Sequence, residues 1–227
     1  MQIIIPSSEQ CAQIIQKIRE LLLYVGAKRT DRPDKYIKSA TYAKFEKAIA
    51  GLLMDISNLK RYVENENLWY EDFQLPQNKV AKEDLIDHYY RDKPTSFFIK
   101  VFSLFEDALS RILEALGCAP DVNNFEEKLK KLKTENIISR EDRQFCRFCM
   151  HIRNTIHSNS FFRAEDQTFD AILGEGPFVF QKGKDVDFLS TGRLIKWSQE
   201  LINIFEKISE FSSVIDGLKD NAMREDL

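Results

Sequence analysis

Arg153, Asn154 and His157 crowd into one short run of the chain, within a stretch from Ser139 to Ser160 that reads SREDRQFCRFCMHIRNTIHSNS. That stretch holds two of the three histidines, two of the four cysteines and four arginines. An imidazole with an ordinary pKa near 6.5 can take or give a proton at neutral pH. A planar guanidinium can grip a phosphate through two parallel hydrogen bonds and stabilise charge that builds there. The chemistry on offer is proton transfer beside an anionic centre, with an amide close by to orient either group.

Such groups need an element to hold them, and the spacing predicts a helix. At about 100° per residue, Phe145, Phe148, Cys149, Ile152 and Ile156 fall on one arc of roughly 100°, the side that should meet a core. Arg147, His151, Arg153, Asn154, His157 and Ser158 fall on the remaining arc, spread over roughly 160°. Ser139 suits the N-cap, and Asp142, three residues on, can answer the exposed N–H groups of the first turn. Arg147 and His151 are further candidates for a binding face, with Ser158 and Asn159 at the helix end.

The whole chain sets the limits. Its 227 residues suit a single domain, residues 1–218, with a disordered polar tail at 219–227. The 43% hydrophobic and 30% charged shares are those of a globular protein with a sizeable core. A net charge of −3 provides no global basic field, so binding to nucleic acid would need a local patch. No basic leader opens the chain, and no apolar run approaches the ~18 residues of a membrane span. Four cysteines, Cys146 and Cys149 within one helical turn and Cys11 and Cys118 distant, make no disulfide framework and suit a reduced, cytoplasmic protein.

With only 8 Gly and 6 Pro, long helices are favoured over many strands. Apolar periodicity predicts a first helix from Ser7 or Ser8 to Gly26 and a second from Tyr36 or Thr41 to Val63. An irregular aromatic segment, Trp69 to Phe73, follows. A short helix, Lys82 to Arg91, ends before Pro94, and Thr95 caps another from Ser96 to Leu116. That one is apolar nearly all round, which suits either a central core helix or one that also serves a partner subunit. Asn124 caps a charged helix, Phe125 to Leu132. After the Arg/His helix, an insert at about 166–190 reads as a β-hairpin pairing Phe178–Phe180 with Asp185–Phe188 around a Lys182-Gly183-Lys184 tip. Thr191 caps a last helix running through Val214. The fold expected is all-α, a bundle of about five to seven helices with a small hairpin before the last one.

Arg153-Asn154-Thr155-Ile156-His157 resembles the signature of the HEPN superfamily (higher eukaryotes and prokaryotes nucleotide-binding). That motif is an Arg, commonly followed by a polar residue such as Asn, with a His about a turn later near the end of a late helix. The resemblance covers about residues 36–215 and rests on the motif and the order of helices. It departs at one point: three residues separate Arg153 and His157, where the family usually has four to six. The resemblance implies a metal-independent endoribonuclease without cofactor, acting as a homodimer, in a toxin or defence setting with an antitoxin or other protein partner. His157 would be the acid/base, Arg153 would hold the phosphate, and Asn154 would orient either group or the ribose. The shortened gap keeps open an alternative, a non-catalytic module of the same kind that binds nucleic acid, nucleotide or protein.

Plainer readings stand beside these. Arg153 and His157 suit the negative end of a helix dipole without any further role. Cys146 and Cys149 resemble half a zinc site, but no second pair exists, so core cysteines are the better reading. Lys128, Lys130, Lys131 and Lys133 read as a solvated face. His88 sits on a surface helix, and Trp69, Tyr70 and Phe73 read as a loop packed by its own side chains.

Overall fold

The computed structural model describes residues 5–29, 37–73, 79–117, 124–158 and 162–211. Within them the chain forms α1 (Ser8–Gly26), α2 (Ile37–Glu64), α3 (Glu66–Phe73), α4 (Lys79–Ala115), α5 (Phe125–Thr134) and α6 (Arg140–His157). Then come β1 (Gln167–Phe169), β2 (Phe178–Phe180) and α7 (Thr191–Ser209). The architecture is the expected helical bundle with a small antiparallel hairpin before its last helix. Cys118, Asn159, the end of the last helix beyond residue 211 and the predicted tail lie outside the described residues.

Local chemistry explains most of the boundaries. Ser7 and Gln10 form a capping box that starts α1, and Ser139 and Asp142 do the same for α6. Asn124 accepts the Glu127 N–H at 2.8 Å to start α5. For α7 the cap is Ser190, one residue before the expected Thr191, which is instead buried in the first turn. The aromatic segment expected to be irregular is α3.

Pro94 does not divide two helices, as its missing N–H suggested; α4 runs straight through it. Pro94 is buried. Thr95, expected as a cap, donates its hydroxyl to the carbonyls of Arg91 at 2.9 Å and Asp92 at 2.8 Å. Those bonds satisfy acceptors in the turn the proline disturbs. The uniform apolarity of α4 has a simple origin too. Phe97, Phe98, Val101, Phe102, Phe105, Leu109 and Ile112 are all buried, because α4 packs on α2, α5, α6 and α7. It is the central helix, and its own chain accounts for that apolar surface without a partner subunit. No helix among the described residues is long and apolar enough to cross a membrane.

The hairpin has a different partner strand from the one expected. β2 pairs antiparallel with β1, in the register Gln167↔Phe180, Thr168↔Val179 and Phe169↔Phe178. Asp185–Phe188 alternates like a strand, but the turn at Lys182-Gly183-Lys184 leads it elsewhere. Phe162 accepts from the Gly183 N–H at 2.7 Å and donates to the Lys184 carbonyl at 3.1 Å. What selects β1 is burial: Phe169, Phe178 and Phe180 all turn their rings onto Phe148 of α6. In the connection, Gly176 has φ +138°, and a Cβ there would lie 2.7 Å from the Asp170 carbonyl oxygen. No other residue fits that close approach without a backbone shift.

Candidate functional site

The helix α6 is held at three levels. Its first turn is fixed by the Ser139–Asp142 box and tied to α7, where Lys207 Nζ lies 2.9 Å from Asp142 Oδ1. Burial works against the Asp142 carboxylate, but hydrogen bonds from Lys207 and Ser139 hold it below its usual pKa. The middle is fixed by Phe148, fully buried, whose ring centroid lies 4.9 Å from Trp197 and 5.1 Å from Phe178. At the last turn Ser158 is the C-cap, its N–H reaching the carbonyls of Asn154 and Thr155.

Arg153 and Asn154 are brought together at that C-terminal end. The Arg153 Nη1 donates to Asn154 Oδ1 at 3.0 Å, and Nη2 donates to Glu106 Oε2 of α4 at 3.0 Å. The guanidinium also lies 5.3 Å from the Phe102 ring centroid, a cation–π contact that fixes its plane. His157 follows one turn later and is exposed, as is Asn154, while Ser158 is half-buried. Residues four apart on a helix are surface neighbours, so Arg153 and His157 border one patch. With its oxygen engaged by Arg153, Asn154 keeps its amide N–H groups as donors. The patch therefore offers an oriented cation, a neutral donor and an imidazole, all at the end of a rigid helix.

The other candidates are placed differently. Arg147 reaches toward α5, its Nε 3.1 Å from Glu126 Oε2. His151, expected on the open arc with Arg147 and Asn154, is buried, because the hairpin closes over that side. Its ring packs against Phe162, Phe169 and Phe180 at 5.5–5.8 Å. Burial, and then the nearby Arg147 charge, hold the His151 imidazole below its usual pKa; Glu126 works in the opposite direction. Cys146 and Cys149 are free thiols fully inside the core, and burial pushes both upward in pKa. Among the described residues no group of His, Cys, Asp and Glu could hold a metal ion.

No family model, curated protein or solved structure matches this chain. The site is thus read from its own residues. Two of them escaped the sequence reading. Glu106 sits in an apolar helix 47 residues before Arg153, and nothing local marks it as its partner. Lys128, in a cluster read as solvated, is 8% exposed and approaches Glu106 Oε1 at 3.9 Å. The available signal was the spacing of α5: Phe125, Lys128, Leu129 and Leu132 share one helical face, and that face is buried.

Proposed function

We propose that the protein is a HEPN-like endoribonuclease that cleaves RNA without a metal, with Arg153, Asn154 and His157 as its working residues and a homodimer as its working form. The observation that carries this is the coupling of Arg153 to Asn154 beside an exposed His157 on the last turn of α6. In the reaction, a neutral His157 takes the proton of a ribose 2′-OH and that oxygen attacks the adjacent phosphorus. The bond from phosphorus to the 5′-oxygen breaks, leaving a 2′,3′-cyclic phosphate and a 5′-hydroxyl. Arg153 stabilises the charge on the phosphoryl oxygens, and Asn154 donates to one of them. The departing 5′-oxygen needs a proton, and a second copy of His157 supplies it when two protomers face each other. A toxin or defence role with a protein partner belongs to the same reading and rests on the family resemblance alone, while a reducing cytoplasm rests on the cysteine usage.

A second reading has an observation of its own. Glu106 already occupies part of the Arg153 guanidinium, and the Arg-to-His gap is short. Both suit a module that binds RNA or nucleotide without cutting it.

Incubation with mixed single-stranded RNA, with and without EDTA, separates the two. Cleavage that survives EDTA, gives cyclic phosphate ends and is lost in folded Arg153→Ala and His157→Ala supports the enzyme. Absence of cleavage by well-folded wild type moves the assignment to the binding module.

A further inference from the structure

A groove runs along the N-terminal half of α6, away from the Arg153–His157 turn. It is lined by Arg140, Arg143 and Arg147 of α6 and by Gln167 and Thr168 of β1. Glu126 of α5 pairs with two of those arginines. The charge there is unbalanced. Glu126 meets Arg143 Nη2 at 2.5 Å and Arg147 Nε at 3.1 Å, so one carboxylate serves two guanidiniums. Arg140 is exposed and has no ion-pair partner among the described residues. This local excess of cation stands on a chain whose net charge is −3.

The groove lies on the stripe of α6 that leads to Asn154, beside the hairpin that covers His151. Arg140, Arg147 and Asn154 recur every seven residues, which keeps them on one stripe of a helix with a drift of about 20° per repeat. From Arg140 to His157 the axis rises about 25 Å, a length that several linked nucleotides span. Arg140 and Arg147 on that stripe, with Arg143 also lining the groove, suit a linear polyanion that bends, and a single strand bends where a duplex is stiff. Phe169, the aromatic ring nearest the groove, is buried among the hairpin phenylalanines and offers no face for a base. What remains for recognition is phosphate and sugar, through guanidinium, amide and hydroxyl groups.

We propose that this groove holds the phosphodiester backbone of a single-stranded RNA as it leads away from the Arg153–His157 turn. The proposal rests on the ribonuclease reading for the choice of RNA and on the groove for its location. It makes binding salt-dependent and tolerant of base sequence.

The test uses a fluorescein-labelled 2′-O-methyl RNA of about 16 nucleotides, a length a single-strand site can cover. That RNA lacks the nucleophilic hydroxyl, so binding is read without cleavage. In fluorescence anisotropy, Arg140→Glu should weaken binding by about tenfold and lower the slope of log affinity against log salt by about 0.7, one phosphate contact on a single strand. Glu126→Gln, which frees Arg143 and Arg147, should tighten binding several-fold. Opposite shifts in the two variants establish the groove even if one of them is less stable. Unchanged affinity in both overturns it, as does equal displacement by polyglutamate of the same charge. RNA cutting with unchanged affinity in Arg140→Glu removes the groove and leaves the ribonuclease. Opposite affinity shifts without cutting keep the groove and remove the catalysis.

Discussion

Glu106 fixes one side of the Arg153 guanidinium. It accepts from Arg153 at 3.0 Å and lies 3.9 Å from Lys128, so one carboxylate balances two partly or largely buried cations. Removing its charge leaves both uncompensated, and a charge-linked hydrogen bond of this kind carries about 1.5–3 kcal/mol. Glu106→Gln should lower stability in urea by that order, with Arg153→Ala costing less because it removes the cation itself. For His157, exposed and without a packing role, alanine should leave the urea midpoint in place while cleavage falls at least ~100-fold. A large loss of stability in His157→Ala would mark it as structural instead. His151 makes the opposite case. Its folded-state pKa is lowered, so below the unfolded value of about 6.5 the unfolded chain binds a proton that the folded one resists. Its contribution is therefore constant above that value and declines as pH falls toward the folded pKa. Between about pH 7.5 and 5.5, His151→Leu should lose less stability than wild type; equal losses would show that His151 does not titrate across folding.

The hairpin and α6 form one unit, because Phe148 is where both are buried. Its ring meets Phe169, Phe178, Phe180 and Trp197 within 4.9–5.9 Å. Phe148→Ala should cost about 3–5 kcal/mol, and limited proteolysis should then cut first between β1 and β2. Ser139→Ala removes only one side of the capping box and should cost about 1 kcal/mol; a much larger loss would mean that the cap also holds α6 against α7 through Asp142. The same contrast explains what the sequence disclosed. Helix starts such as Ser139 and Asn124 were legible because a cap lies within three residues of the groups it serves. The apolar arc of α6 was legible from periodicity alone. The joining of Phe178–Phe180 to Gln167–Phe169 was not, since three rings converging on Phe148 is a tertiary fact that outweighs local alternation. Pro94 misled for a related reason: the rule against proline in helices is local, and burial of α4 between α2 and α7 overrides it. At the site, Arg153, Asn154 and His157 could be read together because they share a helix, whereas Glu106 and Lys128 come from α4 and α5.

Over the whole molecule, the catalytic reading makes a demand that one chain does not meet. Cleavage by internal attack needs a base for the 2′-hydroxyl and an acid for the 5′-oxygen, and the last turn of α6 presents a single exposed imidazole. His151 cannot supply the second, since the hairpin buries it, and α4 gives no argument for association because its own chain covers it. The remaining route is symmetric pairing through the exposed end of α6, where a two-fold axis would bring two copies of the Arg153–His157 patch together. Such a contact carries cations on both sides, so an RNA strand between the copies should strengthen it by balancing their charge. Activity per chain should then fall on dilution, in step with the monomer fraction measured by sedimentation, and the noncleavable 2′-O-methyl RNA should shift that curve toward dimer. Arg140→Glu should reduce the shift without changing association in the absence of RNA. A strictly monomeric protein whose activity per chain is independent of concentration would rule out the two-copy site, and with it His157 acting on both ends of the reaction in different subunits.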